Sequence, residues 1–192
     1  TCALPILSEY SQSQLIIEKS EPIDVNKYKN NNLNSPMHWG QKYEPVSILY
    51  YEYINKTSVT EFGCIPHKNH TYLAASPDGI VCDEKSQLFG RMLEIKTVVS
   101  REITGIPKME YWIQMQLQME VCMLNECDFL ETRFVEYEDK EQFTDDGEFH
   151  CTKDGKPKGI IMYFLENGKP LYEYAPLNLN ENDFEKWETN TM

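Results

Sequence analysis

The stretch that most constrains this chain is Leu93-Glu94-Ile95-Lys96-Thr97-Val98. Period-2 alternation puts Leu93, Ile95 and Thr97 on one face of a strand, with Glu94 and Lys96 on the other. A carboxylate and an ammonium therefore project side by side. Upstream, Tyr72-Leu73-Ala74-Ala75 enters a Pro77-Asp78-Gly79 turn and leaves as Ile80-Val81-Cys82, which sets Asp78 at a bend bordering the neighbouring strand. Asp78 can then meet Glu94 and Lys96 in space. Two hard oxygen ligands beside a lysine suit Mg²⁺ or Mn²⁺, and a cation held there can activate water and neutralise charge on a phosphate. An exposed turn followed by a surface ion pair would present the same residues, so spacing alone leaves both readings open.

Pro77-Asp78, fifteen residues, then Glu94-Ile95-Lys96 resembles the PD-(D/E)xK nuclease motif. Trp39-Gly40-Gln41-Lys42-Tyr43-Glu44 upstream and Tyr111-Trp112-Ile113-Gln114-Met115-Gln116 downstream are similar to the flanking motifs of the YqaJ-type viral recombinase family, which includes bacteriophage lambda exonuclease. The motifs stand in the family's order within residues 38 to 137. The resemblance implies an α/β, restriction-endonuclease-like core, a central mixed β-sheet of about five strands flanked by helices. It also implies metal-dependent phosphodiester hydrolysis, foremost exonucleolytic digestion of double-stranded DNA. Asp78, Glu94 and the Ile95 carbonyl would ligate Mg²⁺ or Mn²⁺, with Glu44 nearby or at a second metal. Lys96 would orient or deprotonate the attacking water and stabilise the pentacovalent phosphate, and Gln114 would position that lysine or the water. Arg101 resembles a family arginine that contacts the 5′-phosphate of the degraded strand, and Ser76 precedes the Pro-Asp turn where it can assist. The chain departs from the family in having no arginine before Arg91. An N-terminal phosphate-gripping arginine is thus truncated or replaced by Lys19, Lys27 or Lys29. An endonuclease or nickase on the same core, a non-catalytic nucleic-acid-binding relative and an acidic interaction module are the other readings. The implied partners are DNA with ends and either further copies of the chain or a recombination protein.

At 192 residues, one domain is the expected organisation: a variable segment over 1–37, a motif-bearing core over 38–137 and a C-terminal extension over 138–192. No apolar run approaches the ~20 residues of a membrane span. The first residues are broken by Pro5 and lack a basic flank, so they make a poor signal peptide; the opening Thr1 suggests a fragment or a processed chain. Six cysteines without a Cys-x-x-Cys pair argue against a zinc ribbon, a disulfide scaffold or a cysteine-held iron-sulfur cluster. Reduced thiols in an intracellular setting follow, cytoplasm or nucleus, including that of a virus-infected cell. Cys82 and Cys122 fall in apolar runs, where a thiol packs as a small hydrophobe. Eighteen Lys and Arg against 31 Asp and Glu give a net charge of -13, which opposes tight non-specific DNA binding. A basic cleft inside an acidic shell remains compatible with that balance.

A weak helix is expected over residues 8 to 19 and a loop through the asparagine run near residues 26 to 34. Ser35-Pro36 should then open a helix over about His38 to Asn55, with a kink or late start at Pro45. Strands are expected over 59–65, 72–75, 80–82, 91–98 and 129–137, and His67 and His70 belong to a hairpin tip. From Pro107 to Leu124 the wheel carries two apolar stripes separated by two polar ones, Gln114 and Gln118 on one and Gln116 and Glu120 on the other, so that helix should pack on two sides, with Met115, Met119 and Met123 in the core. A hairpin turning at Asn167-Gly168 and a short acidic helix over 180–188 close the chain.

Overall fold

The computed structural model describes residues 35–166 and 169–192, together with Ser13, Ile17, Ser20 and Leu33. In chain order the elements are α1 (Pro36–Asn55), β1 (Val59–Thr60), β2 (Ile65–Pro66), β3 (Ala74–Ala75), β4 (Gly79–Val81), β5 (Met92–Thr97), α2 (Met109–Cys122), β6 (Cys127–Thr132), α3 (Lys140–Asp145), β7 (Ile161–Glu166), β8 (Lys169–Tyr174) and α4 (Glu181–Thr191). The central sheet has the order β1-β4-β5-β6. It is mixed, since β1–β4 and β4–β5 run antiparallel and β5–β6 runs parallel. Four strands are joined here rather than five; β2 and β3 pair separately with each other.

Helix α1 starts where its chemistry dictates. The Ser35 hydroxyl accepts the His38 N–H at 3.1 Å, and Pro36 occupies the first turn, where its missing N–H costs nothing. The late start expected at Pro45 is not seen: the helix runs unbroken from Pro36. Its inner face contributes Ile48 and Tyr51 to a core with Val81, Leu93 and Ile95. Below the core, Tyr51 Oη donates to Asp128 at 2.7 Å, and Ser47 meets Thr132 at 2.8 Å. The residues of β5 and β6 that face α1 are therefore those of one strand parity, Leu93 and Ile95 with Asp128, Leu130 and Thr132. The other parity, Glu94 and Lys96 with Phe129 and Glu131, faces α2.

Because helices cover both faces of β5, Met92, Leu93 and Glu94 are wholly inaccessible. Helix α2, however, packs on one side only. Met115, Gln118 and Val121 are buried, while Trp112, Leu117 and Met123 are exposed. The two-sided packing expected from its apolar stripes gives way because the glutamine stripe, not a second apolar one, is turned toward the sheet. Cys82 likewise lies exposed rather than in the core. The long strand expected over 59–65 reduces to two short pairings either side of Gly63.

The C-terminal hairpin β7–β8 forms as expected and docks on α1, with Tyr174 Oη donating to the Lys42 carbonyl at 2.9 Å and Tyr172 Oη meeting His38 Nε2 at 2.7 Å. Its Asn167-Gly168 turn lies outside the described residues, as do nearly all of the helix expected over 8 to 19 and of the asparagine-rich loop. A chain of aromatic contacts, Tyr137 to Phe143 to Phe149 to Phe184, ties α3 and α4 together. No described helix is long and apolar enough to cross a membrane.

Candidate functional site

The site forms where the turn before β4 meets the middle of β5. Gly79 pairs with Leu93, which sets Asp78 against the next stretch of β5. Asp78 Oδ2 accepts the Ile95 N–H at 2.5 Å. Gly79 also lets β1 lie close on the other side of β4, because a Cβ there would lie 2.2 Å from Val59 Cγ1. Glu94 projects from the opposite parity of β5, toward α2. Its Oε1 accepts from Lys96 Nζ and, at 2.9 Å, from Gln114 Nε2. Its Oε2 is buried and has no hydrogen-bond partner among the described residues. Gln118, 1% exposed, donates to the Ser76 carbonyl at 3.3 Å and so fixes the turn that carries Asp78.

The electrostatics of this cluster are those of an incomplete ion pair. Burial first, and then the charge of Glu94, push the Asp78 carboxyl up to about 7, against the lowering effects of the Ile95 N–H and Lys96. Glu44 also sits above the usual carboxylate range, chiefly through burial and then through Glu61, with Lys96 pulling it back. Lys96 is a single cation beside several acids, and one buried Glu94 oxygen has nothing to bind. Such an arrangement favours a further positive charge at Asp78 and Glu94, and the hard oxygen donors match Mg²⁺ or Mn²⁺. No three His, Cys, Asp or Glu side chains converge into a ready-made cage among the described residues. The donor set is thus two carboxylates, with Glu44 within electrostatic reach of both.

Asp78, Glu94, Lys96 and Gln114 are brought into one cluster, and Ile95 joins it through its backbone. Ser76 is exposed and engaged through its carbonyl. Arg101 lies elsewhere than in open solvent: its guanidinium pairs with Glu131, whose side chain is 2% exposed, and donates to the Glu102 carbonyl at 3.3 Å. Glu131 is the β6 partner of Lys96, so Arg101 is held beside the lysine's strand position. Lys19, Lys27 and Lys29 lie outside the described residues.

Sequence reasoning missed three participants. Gln118 shares a stripe with Gln114, but nothing in the sequence says which stripe faces the sheet. Glu131 follows from strand parity once the β5–β6 register is known. Tyr111 lies one turn before Gln114, which places both on one helix face; its ring centroid is 5.0 Å from Lys96 Nζ.

Three comparisons bear on this arrangement. The crystal structure of an alkaline exonuclease from Laribacter hongkongensis is similar in fold, with a TM-score of 0.52 at 21% identity, covering 98% of this chain and 79% of that one. A protein of Acanthamoeba polyphaga mimivirus, the uncharacterized protein R354, is 39% identical over 186 residues, covering 80% of this chain. The match takes in 33% of that protein, so this chain spans about a third of its viral relative's length. The family model described as a YqaJ-like viral recombinase domain matches residues 4–125, a stretch that holds Glu44, Asp78, Glu94, Lys96 and Gln114 together, and the chain accordingly belongs to that family.

Proposed function

We propose that this chain is a divalent-metal-dependent deoxyribonuclease that degrades double-stranded DNA from its ends. The observation that carries the reading is Glu94: a fully buried carboxylate with one oxygen bound by Lys96 and Gln114 and the other left without a partner, beside a second acid, Asp78, that is itself partly buried. A structural ion pair would have no use for the second acid, whose burial costs stability. Asp78 and Glu94, aided by the Ile95 carbonyl and approached by Glu44, would hold Mg²⁺ or Mn²⁺. Bound there, such an ion supplies a more acidic water and neutralises charge on the phosphate.

The chain's own residues do the rest. Lys96, tethered to Glu94 Oε1, presents an ammonium that orients the attacking water and meets the charge that develops on the phosphate. Gln114 fixes the Glu94 carboxylate from α2, so the lysine's anchor does not rotate. Arg101, in the loop after β5 and paired with Glu131, the register partner of Lys96, would contact a terminal phosphate with its remaining donors, assisted by Ser76. A second reading, internal cutting on the same core, is favoured by one observation: the guanidinium available for an end is already shared with Glu131. Linear duplex and covalently closed circular duplex incubated with the protein and Mg²⁺ separate the two. Loss of linear DNA with the circle intact supports end-dependent digestion, nicking or opening of the circle supports the second reading, and no cleavage of either under Mg²⁺ or Mn²⁺ overturns both.

A further inference from the structure

The proposed role of Lys96 raises the question of what holds its ammonium, a flexible group on four methylenes, at one place. Glu94 Oε1 supplies one contact. The other is an aromatic face: the Tyr111 ring centroid lies 5.0 Å from Nζ, inside the range in which a ring quadrupole attracts a cation. That ring is itself backed by Phe129, at 6.0 Å between centroids with 29° between planes. Phe129 is the β6 register partner of Glu94. The stack Phe129–Tyr111 therefore stands on the same strand pair that carries the carboxylate, and the lysine lies between carboxylate and ring.

From this geometry we propose that Tyr111 is a positioning residue for Lys96, acting through its ring and not through its hydroxyl. The inference rests on the reading of Lys96 as the group that meets the water or the phosphate. A ring that merely filled space would have no reason to face the charged end of a lysine whose side chain is 25% exposed and free to extend into water. The Tyr111 hydroxyl takes no hydrogen bond among the described residues, so what the site uses is the π face. With the ring on one side and Glu94 Oε1 on another, the directions open to Nζ are narrowed.

The test is single-turnover cleavage of duplex DNA in saturating Mg²⁺, with DNA affinity measured separately in Ca²⁺. Tyr111→Leu should slow cleavage about threefold to thirtyfold, the range expected when a partly desolvated cation–π contact is lost. DNA affinity and the Mg²⁺ concentration for half-maximal rate should stay as in the wild type. Tyr111→Phe, which keeps the ring, should recover most of the loss. In the Lys96→Ala background, Tyr111→Leu should have no further effect, because the group it positions is gone. Phe129→Leu, which loosens the ring from behind, should give the same pattern at smaller size and serves if Tyr111→Leu folds poorly. Equal damage from the Phe and Leu variants, or a full multiplicative effect in the Lys96→Ala background, overturns the positioning role. A Lys96→Ala protein with wild-type turnover overturns instead the assignment of Lys96, which separates failure of the underlying reading from failure of this inference.

Discussion

At the level of single residues the decisive groups are Asp78 and Lys96. Asp78 holds its proton up to about pH 7 in the folded, metal-free protein, against an ordinary value of 3.8. Between those values the folded state binds more protons than the unfolded chain, so stability falls as the pH rises across that window and levels off above it. Asp78→Asn keeps an oxygen for the Ile95 N–H and removes the charge. The metal-free variant should therefore melt several degrees above the wild type at pH 8 and show a flatter profile between pH 4 and 7. A cation offsets the repulsion between Asp78 and Glu94, so Mg²⁺ should raise the wild-type Tm and leave that of Asp78→Asn nearly unchanged. A variant that kept both the Mg²⁺ shift and full nuclease activity would sink the assignment of Asp78. Lys96→Ala should lower turnover by a factor on the order of 10² while Mg²⁺ still raises Tm. Lys96→Arg should restore little of it, since a planar guanidinium is larger than an ammonium and does not give up a proton.

At the level of elements, the site depends on how closely β1 and β4 approach. Gly79 shows no left-handed backbone; it is needed because Val59 Cγ1 occupies the place of its missing Cβ, at 2.2 Å. Val59 is β-branched and pairs with Val81 across the same ladder, so it has little freedom to move aside. Gly79→Ala should cost about 1–3 kcal/mol by overpacking, measured by urea unfolding, and should depress nuclease activity further because the adjacent Asp78 shifts with it. Adding Val59→Ala should recover part of the stability; a Gly79→Ala protein as stable as the wild type refutes the close approach. This contact also marks the limit of what the sequence disclosed. Strand alternation foretold that Leu93 and Ile95 would oppose Glu94 and Lys96, and the Ser35-Pro36 start of α1 followed from cap chemistry. Strand parity and the Pro-Asp turn brought Asp78, Glu94 and Lys96 together locally, whereas Gln114 was joined to them only by the family resemblance. What stayed hidden was relational. The wheel of α2 offered two apolar stripes and two polar ones, and only the buried carboxylate of Glu94, which draws Gln114 inward, decides which faces the sheet. The short pairings of β1 and β2, and the partnership of Arg101 with Glu131, depend on register between distant segments that periodicity does not encode.

For the whole molecule the governing quantity is charge. A polyanion should bind poorly to a chain of net charge -13, and the cations at the site are committed, Lys96 to Glu94 and Arg101 to Glu131, with Lys42, Arg91, Lys156 and Lys186 likewise paired to acids elsewhere. Each phosphate neutralised by a protein cation releases counterions and steepens the dependence of log K on log salt by about 0.9 for duplex DNA. A cation already paired with a carboxylate delivers less of that release, because the acid competes for it. Duplex affinity in Ca²⁺ should therefore decline gently with salt, with a slope no steeper than about -3, while affinity at low salt stays modest because the acidic surface is unscreened. Arg101 is the cation proposed for a DNA end, so Arg101→Ala should reduce the slope by no more than about 1 and erase any preference for 5′-phosphorylated over 5′-hydroxyl duplex. Since Glu131 shares that guanidinium, the wild-type preference itself should be small. The two duplexes compared at matched ionic strength, with and without Arg101→Ala, decide the matter. A slope steeper than about -6, or a strong 5′-phosphate preference that survives Arg101→Ala, would mean that DNA is held by cations other than those paired here, with Lys19, Lys27 and Lys29 the first to substitute.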